Sequence, residues 1–409
     1  MRVVVVNQRR LDLGESLLNE DGPVVSGEES VVGAALFDEN ECIVPLVSEF
    51  LTNAAKDHSL AFQSVGTYGR NIGYFLTHIR RQGAYQHLSH DEALLTVNRL
   101  TIAQYLEHLR NVEGLDSTTI RNRDACLRTY ISGFLCVAQN DSPPLRTTDP
   151  YSLGFISPKP KRRLVNPCSL SDLKVLMLRS RYERERLLLQ FIFDSGVRRS
   201  EVGRVTAGAI NTALAFATSN FICDGNEMPI KPEYCPLYIH GSKGSGNEEK
   251  PRWALVSRIT LERVKKYMAS PLYRKYARGY VHGEAPCFFN AEGRRYTADA
   301  ISQLLRRLSE KAVAKRLISK SISPHKLRHG NAYAILNSPD LGSDFVERLV
   351  ITQKSLGHAR TETTEVYTQV PHDLYKVLSA ETGEVITRAT FMAELYSQTK
   401  LKIDLAAKK

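Results

Sequence analysis

Between Asn140 and Pro167 stand six prolines, Pro143, Pro144, Pro150, Pro158, Pro160 and Pro167. No regular helix or central strand can run through such a stretch, because each proline lacks an amide donor and fixes its own φ. The chain is therefore cut into two folding regions. Its 409 residues agree, since a single hydrophobic core stops growing at about 250–300 residues. The connection also carries the basic run Lys159-Pro160-Lys161-Arg162-Arg163. Such a stiff strip of cations either faces water or follows a polyanion while joining the two regions.

Helical periodicity begins near residue 46. Leu46, Phe50 and Leu51, then Tyr68, Ile72, Tyr74, Phe75, Leu76 and Ile79, recur at three- and four-residue steps, and a third helix is predicted over Thr101–Val112. A fourth starts at Ser117-Thr118-Thr119, whose hydroxyls are read as its cap. It sets Ile120, Leu127, Tyr130, Ile131, Phe134 and Leu135 on one stripe and Arg121, Arg123 and Arg128 on another. That basic face is either solvated or a polyanion contact.

Ahead of these helices, residues 1–45 read as an irregular extension ending in a short strand or hairpin. After Ser169-Leu170-Ser171-Asp172 a second, mostly helical region begins, and its apolar run Leu187–Phe193 stops at Asp194-Ser195-Gly196. Within it, Leu237–His240 and Arg252–Ser257 read as paired strands around a Gly-Ser-rich connection that holds Lys243. The expected fold class is mainly α with a small β-sheet, in two domains.

The formal charge of +11 and pI near 9.2 suit a polyanionic partner. Residues 1–45 hold three basic residues against nine acidic ones, so they carry −6 and residues 46–409 carry +17. The binding surface is expected in the body of the chain and not in its first segment. Seven cysteines, with no close pair at metal-ligand spacing, read as buried thiols. Neither a metal nor a cofactor is expected. With no leader-like stretch and no run long enough to span a bilayer, the sequence reads as a soluble cytoplasmic protein.

The chemistry-bearing residues fall in separate places. Arg198 follows the Asp-Ser-Gly stop and is expected to begin another helix, with Glu201 on the same face to hold it. Ser323 is a fit N-cap and Pro324 a fit first helical residue, so His325 and Arg328 share a face. The helix N-terminus would attract a phosphate and disfavour imidazolium, leaving His325 neutral. Leu356-Gly357 reads as a helix stop that exposes His358, and Tyr367 follows nine residues on, with Tyr375 its nearby rival. Each pattern alone also fits ordinary surface or core packing. Together, two arginines to fork a phosphate, two histidines to move or share a proton and a tyrosine to attack suffice to cut a phosphodiester without metal or water.

The runs Gly196-Val197-Arg198-Arg199-Ser200-Glu201, His325-Lys326-Leu327-Arg328-His329, Leu356-Gly357-His358 and Thr363-Thr364-Glu365-Val366-Tyr367-Thr368 resemble, in order and spacing, the motifs of the tyrosine recombinase (phage integrase) family. The likeness extends to Thr119-Ile120-Arg121-Asn122-Arg123 and Leu127-Arg128, similar to the last helix of that family's core-binding domain, and covers roughly residues 46–375. It implies a two-domain DNA clamp: an acidic extension (1–45), a helical core-binding domain (46–139), a basic linker (140–167), a catalytic domain (168–380) and a tail (381–409).

It implies that Tyr367 attacks the scissile phosphate, that Arg198 and Arg328 hold its oxygens, that His325 takes the tyrosyl proton and that His358 bonds the phosphate. Lys243 would protonate the leaving 5′ oxygen, with Lys250 as its rival, and Glu201 would support the site. Arg121, Arg123, Arg128, Lys159, Lys161, Arg162 and Arg163 would contact double-stranded DNA, and four copies would act on two sites. Arg199, Thr361, Glu362 and the long loop around Lys243 depart from the family's pattern.

Integration, excision or transposition of a mobile element is the expected task. Resolution of chromosome or plasmid dimers is the alternative, a strand-swivelling topoisomerase a further enzymatic one, and a non-catalytic DNA-binding protein the reading from another class. The tail, with Phe391, Met392, Leu395, Tyr396 and Leu401, is expected to pack either on a neighbouring copy or on its own chain.

Overall fold

The computed structural model describes residues 1–10, 30–139, 142–161, 166–217, 220–223, 226–241, 251–357 and 387–401. The chain divides into two compact units, one built on residues up to Arg162 and one on residues from Arg163.

In the first unit, strand β1 (Arg2–Arg10) pairs antiparallel with β2 (Ser30–Phe37), Arg2 opposite Phe37 and Val4 opposite Ala35. The hairpin lies on α1 (Pro45–Lys56) and α2 (Phe62–Ile79). Thr52 Oγ1 donates to Ala34 O at 2.9 Å, and the Leu36 amide donates to Ser48 Oγ at 3.1 Å. Leu36, Leu51, Ile72 and Leu76 close a common core, so these strands belong to the helical unit and are not a separate extension. Helices α3 (His90–Thr96), α4 (Arg99–Asn111) and α5 (Ser117–Tyr130) complete it. The cap of α5 is Asp116, not the hydroxyls: its carboxylate accepts from the Thr118 and Thr119 amides at 2.9 and 3.1 Å, and as an anion it is the stronger acceptor at a helix N-terminus.

The proline-rich connection is less free than its composition suggests. Arg146 is buried and donates from Nη1 to Leu94 O at 2.9 Å and from Nη2 to Val97 O. The carboxylate of Asp124 on α5 is fully buried. It accepts from Tyr151 Oη at 2.9 Å, the Ser157 amide at 2.8 Å, Ser157 Oγ at 2.7 Å and the Ile156 amide at 3.1 Å. A buried charge is tolerated only when it is satisfied in this way. The chain is thus fastened to the helical unit as far as Ser157.

The second unit opens with α6 (Leu170–Arg179) and α7 (Glu183–Ser195), the apolar run of the sequence, which is buried from Leu187 onward. Helix α8 (Ala207–Ala215) precedes two hairpins, β3–β4 (Asn220–Cys223 with Asn226–Pro229) and β5–β6 (Tyr234–Ile239 with Arg252–Ser257). The second is the pair expected from sequence, in the register Tyr234 to Ser257 and Ile239 to Arg252. Then follow α9 (Arg258–Met268), α10 (Pro271–Ala277), α11 (Ala298–Ala314), α12 (Pro324–Leu336), α13 (Phe345–Leu356) and α14 (Arg388–Thr399).

The core of this unit gathers Leu187, Phe191, Leu237, Val256, Leu261 and Leu327. Helix α14 packs on its own chain: Met392 and Leu395 enter that core, Gln190 Nε2 donates to Met392 O at 3.1 Å, and Arg263 Nη1 donates to Thr399 Oγ1 at 3.0 Å. Among the described residues no helix is long and apolar enough to cross a membrane.

Candidate active site

Helix α7 ends at Gly196, whose φ of 60° is left-handed, and a Cβ there would lie 2.7 Å from Asn331 Oδ1 and from Leu356 Cδ2. Only glycine fits both the angle and the space. The chain then turns back, and Arg198 stands on this turn. The helix expected at Arg198 is absent: a three-residue 3-10 turn, Val202–Arg204, follows instead. Glu201 closes the turn on itself, accepting the Arg198 amide on Oε2 and Arg198 Nη1 on Oε1, both at 2.7 Å. With its own backbone and side chain tied to one carboxylate, Arg198 has a fixed direction while 28 % of its side chain remains exposed.

Glu201 is fully buried and has a second cationic partner that the motifs do not announce. Arg252, the first residue of β6, donates from Nη2 to Glu201 Oε2 at 2.8 Å and to Gly196 O at 3.4 Å, and from Nη1 to Ser355 O. Burial pushes the Glu201 carboxyl up. Arg252 first, then Arg198 and Arg328, outweigh it and hold the group below its ordinary value of 4.5.

Helix α12 begins as its sequence predicts, with Ser323 accepting the Lys326 amide and Pro324 in the first turn. Arg328, 2 % exposed, donates from Nη1 to Gly196 O and from Nη2 to Leu356 O. It therefore joins the two glycine-terminated helix ends, since α13 stops at Gly357 with φ 64°. His325 lies a turn before it on the same side, with its ring 4.2 Å from that of His329, edge to face. Its position is open to solvent. Even so, desolvation by the surrounding protein, then the charges of Arg328 and Arg198, lower its pKa from the ordinary 6.5. The neutral ring foreseen from the helix N-terminus is thus favoured, through partial desolvation and the two guanidinium groups.

The structure brings together Arg198, Glu201, His325 and Arg328, and adds Arg252. His358, Tyr367, Tyr375, Thr361, Glu362, Lys243, Lys250, Arg162 and Arg163 lie outside the described residues. Arg199 is turned to α11, donating to Ser302 Oγ at 2.7 Å. No group of three or more His, Cys, Asp or Glu among the described residues could hold a metal ion.

The arginines of α5 have partners inside their own unit. Arg121 lies 3.5 Å from the Phe155 ring centre and donates to Ser157 O, and Arg128 reaches the same ring at 4.6 Å. Arg123 bonds Tyr105 Oη at 3.2 Å, faces the Tyr74 ring and pairs with Glu113 at 3.8 Å. Lys159 and Lys161 are exposed.

Residues 169–373 match the sequence model of the phage integrase family. The chain belongs to that family and is a tyrosine-type strand-exchange recombinase. It is 24 % identical over 332 residues to tyrosine recombinase XerD of Halalkalibacterium halodurans, covering 79 % of this chain and 92 % of the relative. It is 26 % identical over 338 residues to tyrosine recombinase XerC of Roseiflexus castenholzii, covering 80 % and 89 %. Two solved structures have a like fold. One is XerH recombinase bound to palindromic difH substrate in a post-cleavage complex, with TM-score 0.51, 17 % identity and coverage of 82 % of this chain and 86 % of the other. The other is a lambda integrase dimer bound to a COC′ core site, with TM-score 0.52, 16 % identity and coverage of 79 % and 93 %.

Proposed function

We propose that the chain is a site-specific DNA recombinase that cuts and rejoins duplex DNA through a covalent 3′-phosphotyrosyl intermediate. The observation that carries this reading is the meeting of Arg198 and Arg328 around the Gly196 cap, beside a His325 biased to neutrality. From the same place the chain continues through Gly357 into His358 and Tyr367. Tyr367 Oη attacks the phosphorus and passes its proton to His325. Arg198 and Arg328 bind the non-bridging oxygens, His358 adds a hydrogen bond, and Lys243 protonates the departing 5′ oxygen. The phosphodiester energy stays in the tyrosyl ester, so a 5′ hydroxyl from another duplex reverses the step and joins new strands.

Double-stranded DNA suits the +17 of residues 46–409, and the two structures of like fold are bound to their DNA sites. In this reading the helical unit and the catalytic unit clamp the duplex, four copies hold two sites, and the exposed Lys159 and Lys161, with Arg162 and Arg163, follow the phosphates in the cytoplasm. Integration, excision or transposition of a mobile element is one use of such exchange. The Xer names of the sequence relatives support the other, the resolution of chromosome or plasmid dimers.

The test starts from duplexes that the chain itself retains from a randomised pool. Two differently labelled copies are incubated with it: recombinant duplex is the expected product, whereas relaxation of supercoiled plasmid without exchanged strands would contradict the reading. The pH dependence is also fixed in sign. A base must be neutral to accept the tyrosyl proton, and a pKa lowered from 6.5 keeps His325 neutral below that value. Single-turnover cleavage should therefore keep more than half of its plateau rate at pH 6.5 and reach its midpoint only in more acid solution. A midpoint well above that value would contradict the assignment of His325.

A further inference from the structure

We infer that Arg252 is a positioning residue for strand cleavage: it sets Arg198 through Glu201 and keeps the site cationic. The inference rests on the phosphotyrosyl reading and goes beyond it, because Arg252 belongs to none of the motifs that suggested that reading.

A carboxylate that grips Arg198 alone would fix its direction and also cancel its charge. Glu201 is fully buried, so little solvent screens that cancellation. Arg252 removes the difficulty. It takes Glu201 Oε2 at 2.8 Å, the oxygen shared with the Arg198 amide, and leaves Oε1 to the Arg198 guanidinium. The three guanidinium groups of Arg198, Arg252 and Arg328 then face one carboxylate, and the cluster keeps an excess of positive charge for a phosphate.

The same side chain fastens the other parts of the site. It donates to Gly196 O, at the cap that aims Arg198, and to Ser355 O, two residues before Gly357. A Cβ at Gly357 would collide with Arg252 Cδ, so the left-handed turn that ends α13 is shaped against this arginine. Arg252 also begins the strand that follows the connection holding Lys243. Surface phosphate binding needs none of these contacts, which end on Glu201, Gly196 O and Ser355 O inside the unit. Its loss should therefore appear in the chemical step and not in DNA affinity.

The experiment compares the parent with Arg252→Met and Arg252→Lys on a nicked duplex that the parent retains from a randomised pool, reading DNA affinity and the single-turnover rate of SDS-resistant adduct separately. Arg252→Met should bind the duplex as the parent does and form adduct on the order of a hundredfold more slowly, the scale of a small misplacement of catalytic groups. Arg252→Lys, which keeps the charge without the fork, should recover part of the rate. The deficit of Arg252→Met should also change with pH, because Glu201 without its main counter-charge takes up a proton more readily and then neither grips nor neutralises Arg198, an effect that a merely structural role would not produce.

If Arg252→Met does not fold, Arg252→Lys carries the test through its intermediate rate at unchanged affinity. Parent-like adduct rates in a folded variant, or affinity lost in step with rate, would overturn the inference. Failure of the parent itself to form adduct would overturn the phosphotyrosyl reading, and is thereby told apart.

Discussion

Replacing Asp194 by alanine is expected to cost the catalytic unit about 3–5 kcal/mol, the scale for removing one partner of a buried ion pair. Asp194 is fully buried at the end of α7. Its Oδ1 pairs with Arg388 Nη2 at 2.8 Å and accepts Ser257 Oγ at 3.0 Å, while its Oδ2 accepts the Ser257 amide at 3.0 Å. Arg388 is 3 % exposed and opens α14, so the substitution strands a guanidinium inside the unit and two donors on β6. The first consequence should be release of α14, whose Met392 and Leu395 fill the core and whose Thr399 holds Arg263. Chemical denaturation should show the stability loss, and hydrogen exchange should show the amides of residues 388–399 losing protection first. Parent-like stability with full protection there would mean that Arg388 is not held by this carboxylate.

Local signals in the sequence were reliable where one residue type admits one conformation. Ser323-Pro324 announces the start of α12, and Asp194-Ser195-Gly196 and Leu356-Gly357 announce helix ends that the structure places in left-handed geometry. Ser89 and Glu92 form a capping box of the same local kind, and it opens α3, whose seven residues are too few for helical periodicity to mark.

What sequence pattern could not supply was partnership across distance. The spacing on α5 shows that Arg121 and Arg128 share a side but does not reveal that Phe155, far along the chain, occupies it. Asp124 in the same helix has no distinguishing neighbour in sequence, yet four donors of the connection meet on its carboxylate. Arg252 is the clearest case. It shares the inward side of β6 with Ala254 and Val256, and an inward-facing charge must have a partner, yet that partner, Glu201, is 51 residues away. An arginine in phase with the buried side of a predicted strand was the available signal.

The reading of Arg198, Arg328 and His325 as one phosphate site stands or falls on the tyrosine that is to join them. Removing the phenolic oxygen leaves the guanidinium groups, the base and the DNA surface in place but takes away the nucleophile, so no partial activity should remain. Tyr367→Phe should therefore retain duplexes as the parent does and yield no covalent product, whereas Tyr375→Phe should behave as the parent. The most direct measurement incubates the parent and both variants with nicked duplexes retained from a randomised pool, denatures in SDS and looks for protein joined to DNA. The account predicts adduct with the parent and with Tyr375→Phe, and none with Tyr367→Phe. Adduct that survives in Tyr367→Phe, or that is absent from the parent, would contradict it.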